Sequence, residues 1–166
     1  MTVRSVIEIR DATPDDFAGA GDAAVDGYAA LYGEGLGSYE ERLRDVAARA
    51  SGAAVLVAVD AGEIVGTVTY VGDASSPFAS HQREDEASIR MLAVKPSHAR
   101  RGVGRALSVA CIERARADGK RAVSLHADEV MDVSRRLYES LGFRRDPSRD
   151  HRPDEVTFLL CYVLEL

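Results

Sequence analysis

The stretch from residue 86 to residue 119 leaves this chain few folds to adopt. It opens on an apolar strand pattern, "EASIRMLAV" (86–94), and Pro96 ends it because proline cannot donate to a β-ladder. A turn comes next, "RRGVGRAL" (100–107), in which Gly102 and Gly104 sit among Arg100, Arg101 and Arg105. A helix then starts at once and runs from about residue 104 to 118, with Val103, Ala106, Leu107, Ala110 and Cys111 as its apolar stripe and Gly119 as its stop. Strand, glycine turn and helix in that order call for an α/β architecture with the helix packed on a sheet. They also create a surface with a chemical preference. A helix start leaves its first N–H groups without partners, and the macrodipole adds partial positive charge there. Glycines let a ligand approach the backbone closely. Phosphate suits such a place, and each arginine could add a charge-assisted hydrogen bond of roughly 1.5–3 kcal/mol.

The rest of the chain supplies the sheet. "VIEIRDAT" (6–13) alternates as a short strand. Thr13 caps a helix that has Pro14, Asp15 and Asp16 in its first turn and Phe17, Ala24, Val25, Tyr28 and Tyr32 at helical spacing. "GEGLG" (33–37) interrupts it. Ser38 with Glu41 forms a capping box that opens a second helix with Leu43, Val46, Ala47 and Ala50 on one face. "AAVLVAVD" (53–60) and "EIVGTVTYV" (63–71) read as a hairpin. "RAVSLHA" (121–127) is a strand, and a helix over about 130–141 turns Val130, Ser134, Leu137 and Leu141 inward. Phe143 starts a further strand, "EVTFLLCYVLEL" (155–166) is the last, and "RRDPSRDHRPD" (144–154) between them is charged and exposed. The order β-α-α-β-β-β-α-β-α-β-β gives a mixed α/β sheet with helices on both faces. With no repeat or linker, residues 1–166 form one domain.

Composition removes whole classes of function. The net charge of −6 argues against affinity for a nucleic-acid backbone. No uninterrupted apolar run reaches about 18 residues, so no membrane span is expected. "MTVRSVIEIRDATPDD" lacks the pattern of a signal peptide, which points to the cytoplasm. Cys111 and Cys161 belong to no CxxC or Cys/His cluster, so no metal site is expected, and both read as small buried hydrophobes.

Three phosphate loops compete for "RRGVGRAL". A Walker loop needs GxxxxGK[ST], which is absent, and a Rossmann fingerprint needs a third glycine where Leu107 stands. The coenzyme A loop fits: Arg101-Gly102-Val103-Gly104-Arg105-Ala106 matches [QR]xxGx[GA]. With "MLAVKP" (91–96) before it and "LYESLGF" (137–143) after it, the chain resembles the GCN5-related N-acetyltransferase superfamily over nearly its whole length. That resemblance implies a mostly antiparallel sheet, acetyl-CoA as co-substrate and transfer of its acetyl group to a primary amine. It implies that Arg100 to Ala106 cradle the pyrophosphate and that Leu92, Ala93 and Val94 lie along the pantetheine arm, paired with it through the backbone. The family's fourth and fifth strands splay apart to admit the arm, which puts His126 either near the thioester or in an ordinary structural role.

The same resemblance aligns Tyr138 with the family's general acid, which protonates the departing thiolate. A phenol with a normal pKa near 10 is a donor at neutral pH, and the alternative for Tyr138 is a core aromatic with a polar tip. Met131 stands where relatives often have an asparagine that contacts the coenzyme, so that contact is lost or replaced. Glu86 is the candidate base, two residues before the family's usual glutamate position, which here is Ser88. Glu84 and Asp85 are loop alternatives, a solvated acidic run is the plainer reading, and Arg90 shares the face of Glu86. Tyr32, Glu34, Tyr39, Phe78 and His81 are candidates to line the acceptor pocket or are ordinary packing residues. A small-molecule amine is slightly favoured over a protein acceptor. A non-catalytic acyl-CoA sensor on the same fold is the alternative function. The apolar last strand either pairs with a second copy in a homodimer or lies inside the sheet.

Overall fold

The computed structural model describes residues 5–33 and 35–166. Seven strands form one sheet: β1 (Glu8–Asp11), β2 (Ala54–Asp60), β3 (Glu63–Val71), β4 (Glu86–Val94), β5 (Ala122–Asp128), β6 (Arg144–Arg145) and β7 (Leu159–Glu165). Their spatial order is β1-β2-β3-β4-β5-β7-β6, and every neighbouring pair except β4–β5 is antiparallel. The helices are α1 (Phe17–Tyr32), α2 (Ser38–Arg44), α3 (Val46–Gly52), α4 (Val103–Ala117) and α5 (Asp132–Ser140).

Period-two alternation on β2 decides which helix covers which face. Val55 and Val57 pack with Ala20 of α1 and Val46 of α3, while Leu56 and Ala58 join the larger core with Val103, Leu107 and Cys111 of α4. A fully buried side chain such as Leu107 contributes roughly 1.5–3 kcal/mol. Glycine brings α4 close to the sheet: a Cβ on Gly66 would lie 2.9 Å from Val103 Cγ1. On the other face, Gly27 of α1 does the same over β4, where an added Cβ would meet the Cβ of Ala93 at 2.9 Å.

Two features of β4 open the sheet at its middle. Thr67 pairs with Ala93 but Thr69 with Arg90, so β4 carries one extra residue, and Met91 sits at φ 52°. This is a β-bulge, which bends the strand. On its other edge β4 pairs with β5 only at Glu86–Ala122, Ala87–Val123 and Ser88–Ser124. Beyond Ser88 the two strands part.

Several local expectations need correction. The single helix over 38–52 is two, because Asp45 adopts ψ 63° and its carboxylate accepts the Ala48 N–H at 3.1 Å. A side chain that caps locally competes with helix continuation. The Ser38–Glu41 capping box does not form: Gly37, at φ 55°, takes the cap position without a side-chain bond. Ala47 is exposed and Arg49 is buried in its stead. Val130 lies outside α5 and is 53% exposed. The last strand begins at Leu159, and β7 lies inside the sheet between β5 and β6. The 144–154 segment is not a free charged loop either, since Arg149 and Asp150 point inward. Among the described residues no helix is long and apolar enough to cross a membrane.

Candidate active site

The turn before α4 takes the form that its glycines allow. Gly102 precedes the helix at φ 79°, and Arg100 is also left-handed at φ 61°. The first helical hydrogen bond is Ala106 N–H to the Gly102 carbonyl, at 3.0 Å. The N–H groups of Val103, Gly104 and Arg105 therefore have no intrahelical partner. Among the described residues, and apart from its chain neighbours, no atom lies within 4 Å of a Cβ built on Gly102. Arg101 pairs with Asp60 at 3.3 Å, Arg105 donates to Ser140 Oγ at 3.1 Å, and Arg100 is exposed. The start of the helix is thus an open anion cradle with its arginines at the rim.

A Cβ on Gly104 would lie 3.5 Å from Leu137 and 4.0 Å from Leu92, so the cradle adjoins the gap between β4 and β5. That gap opens into a cavity of about 760 Å³, lined by Leu92 on β4, His126 and Asp128 on β5, Met131, and Tyr138 on α5. Leu92 and Val94 turn their side chains to the α4 core, and Ala93 turns to α1, packing with Ala24 and Leu43. The edge of β4 from Ile89 onward has no ladder partner on the β5 side.

Tyr138 is 5% exposed and packs on Phe143, with ring centroids 5.6 Å apart. Among the described residues nothing hydrogen-bonds its hydroxyl. Burial, with a smaller contribution from Cys111, raises its pKa. The hydroxyl is therefore a neutral donor at the wall of the cavity. Cys111 is itself buried, and its thiol is pushed up to about 12, which makes it inert as a nucleophile.

Glu86 is not at the cavity, and this corrects its expected role as the base. The side chain is fully buried at the end where β4 and β5 still pair. Arg149 holds both of its oxygens, at 3.0 and 2.8 Å, and the Arg83 N–H bonds to it at 3.1 Å. Burial is the largest single influence and opposes its charge, but the Arg149 bonds and charge together with the Arg83 N–H outweigh it and keep the pKa below the usual carboxylate range. A carboxylate buried in an ion pair and outside the cavity lining is not placed to meet an amine. Ser88 bonds Gln82 and Arg90 donates to the Phe78 carbonyl at 2.7 Å, while Asp85 pairs with Arg121 at 2.6 Å. Glu84 borders a separate shallow hollow beside Lys120.

Of the candidates for the acceptor pocket, Tyr32, Tyr39 and His81 line the cavity. Tyr28 joins them, stacked on Tyr32 at 6.2 Å and edge-on to Tyr39 at 5.6 Å. Tyr32 also donates to Asp128 at 2.8 Å, which ties α1 to β5. Phe78 does not line the cavity and packs against Gly52. Glu34 lies outside the described residues. His151, Asp128 and Arg149 are additions that the sequence does not single out. They converge from segments far apart in the chain, and the family resemblance points to 144–154 as an acceptor-pocket segment without picking out His151 or Arg149 within it.

Residues 22–143 match the acetyltransferase (GNAT) family. The chain is 37% identical over 65 residues to a mycothiol acetyltransferase of Streptosporangium roseum, a match that spans 39% of this chain and only 19% of that protein. Among solved structures, it resembles the ribosomal-protein-alanine N-acetyltransferase of Brucella melitensis (TM-score 0.71, 24% identity), over 96% of this chain and 99% of that one. It also resembles a Salmonella typhimurium acetyltransferase solved with acetyl-CoA (TM-score 0.67, 24% identity), over 96% and 93% of the two chains. The chain belongs to the acetyltransferase (GNAT) family. Acetyl-CoA is the co-substrate of that family.

Proposed function

We propose that the protein transfers acetyl from acetyl-CoA directly to a primary amine in a ternary complex. The observation that carries this reading is Tyr138, a buried phenol with an unbonded hydroxyl on the wall of a cavity that adjoins the anion cradle of 100–106. The coenzyme would set its pyrophosphate on the free N–H groups of Val103, Gly104 and Arg105, with Arg100, Arg101 and Arg105 at the rim. Its pantetheine arm would run along Leu92, Ala93 and Val94, where β4 has an unpaired edge.

The amine attacks the thioester carbonyl, and N–H groups of β4 polarise the oxyanion. As the C–S bond breaks, Tyr138 gives its proton to the sulfur. A small-molecule amine is favoured over a protein as acceptor, because the Tyr32–Asp128 bond spans the cavity from α1 to β5. Calorimetry with acetyl-CoA, followed by assay of coenzyme release with an amine panel, tests the reading. Binding with amine-dependent release supports it. Binding without release from any amine would favour a sensor, and absent binding by folded protein would remove the function altogether.

A further inference from the structure

Three of the four histidines of this chain meet at one place. His81 comes from the loop between β3 and β4, His126 from β5, and His151 from the segment before β7. Their ring centroids lie 4.5 Å apart for His81–His151, 4.7 Å for His126–His151 and 6.1 Å for His81–His126. All three line the cavity. The fourth, His98, is elsewhere, with Ser97 on one ring nitrogen and Asp60 on the other. Among the described residues no carboxylate hydrogen-bonds any ring of the cluster, and no trio of such side chains is arranged to hold a metal ion.

The hydrogen bonds fix one tautomer. His126 Nε2 lies 2.9 Å from the Arg149 carbonyl, which can only accept, so Nε2 carries the hydrogen and Nδ1 the lone pair. That Nδ1 is buried without a partner. Among the described residues neither ring nitrogen of His151 bonds protein, and neither is among the buried unpartnered atoms. His151 thus offers a lone pair to the cavity, with His126 and His81 flanking it. The charged groups around the cluster are Arg149 and Glu86, which neutralise each other, Asp150, which is taken by Arg145 and the Cys161 N–H, and Asp128, taken by Tyr32; Arg42, Arg90, which donates to the Phe78 carbonyl, and Asp154, which accepts the Val156 and Thr157 N–H groups, line the same cavity. Burial keeps His126 and His151 neutral by holding their pKa values below the ordinary range, with the neighbouring histidines adding to it.

We infer that this cluster, with His151 as the group that meets the substrate, is the base that deprotonates the acceptor ammonium. The inference rests on the proposed transferase activity. An ammonium N–H bond breaks, an imidazole N–H bond forms, and the freed lone pair makes the C–N bond to the acetyl carbon. The C–S electrons leave on sulfur, which takes the Tyr138 proton. The second proton on nitrogen restores the phenol, and the imidazolium discharges its proton to water. Glu86 then acts at one remove, as a positioning residue. It holds Arg149, whose Nη2 also donates to the His81 carbonyl at 3.2 Å and whose own carbonyl fixes His126.

The test uses two nucleophiles with the wild-type protein and His151→Gln, reading coenzyme release from acetyl-CoA between pH 6 and 9. Propylamine is protonated at neutral pH and needs a base, whereas hydroxylamine is already free. The expected result is a loss of about 100-fold in kcat/KM for propylamine at pH 7, shrinking as pH rises. Hydroxylamine turnover and the acetyl-CoA Kd should stay nearly unchanged. Equal loss for both nucleophiles, or none for either, overturns the inference while coenzyme release by wild type keeps the transferase reading. Wild type that binds acetyl-CoA yet releases coenzyme with neither nucleophile overturns both.

Discussion

The two ends of the cavity are built in opposite ways. The proposed coenzyme end is one continuous stretch, residues 92–106, and it offers mainly backbone N–H groups freed by a turn at Gly102. At the proposed acceptor end, side chains from α1, the 72–85 loop, β5 and the segment before β7 come together, and Arg149 ties His81 to His126. A backbone device tolerates changes of side chain around it. A side-chain constellation depends on each member, so the acceptor end can change its specificity while the coenzyme end keeps its ligand.

This contrast can be broken by mutation. Glu86→Gln should have the largest effect, because it leaves Arg149 as a poorly matched buried cation. We expect a loss of roughly 3–5 kcal/mol by chemical denaturation, with a raised acceptor KM and an unchanged acetyl-CoA Kd in the folded fraction. A shift in coenzyme affinity would mean that the two ends are coupled. Tyr138→Phe should lower kcat by about 100-fold, equivalent to about 2.7 kcal/mol, without loss of coenzyme binding by calorimetry. Arg101→Ala should weaken acetyl-CoA binding by roughly tenfold, with the acceptor KM unchanged.

Acidification should separate the ends as well. The folded-state pKa values of His126 and His151 are depressed, so the unfolded chain takes up protons first as pH falls below about 6.5. The stability present above that pH is therefore lost on acidification, and Glu86 adds a further loss below about 4.3. Denaturation midpoints from pH 7 to 5 should fall less steeply in His126→Gln than in wild type. The smallest effect expected is for Tyr32→Phe. Losing the bond to Asp128 should lower stability by about 1 kcal/mol, with a change in acceptor KM only.

The same contrast governs what can be read from the sequence. The hairpin of β2 and β3, strand β4 and the start of α4 are legible because their patterns are local: alternation, a two-residue turn, a proline stop and glycines at a helix start. Tyr138 follows from its place in "LYESLGF". The break at Asp45 is not legible, since Ser38 to Ala50 carries an unbroken helical stripe and only the Asp45 carboxylate on Ala48 interrupts it. The role of Glu86 is misjudged from sequence because alternation gives its face but not its partner, and Arg149 lies 63 positions away. His151 is hidden for the same reason: its meeting with His81 and His126 belongs to the folded topology and to no sequence spacing.

The three-pair seam between β4 and β5 has a mechanical meaning. The sheet consists of two plates, β1 to β4 and β5 to β7, riveted by ladder pairs at one corner and by none along the rest of the join. Such plates can flex against each other like a book held near its spine. A molecule lodged in the gap would act as a second rivet, so occupancy should slow amide exchange along residues 89–94 and stiffen both plates at once.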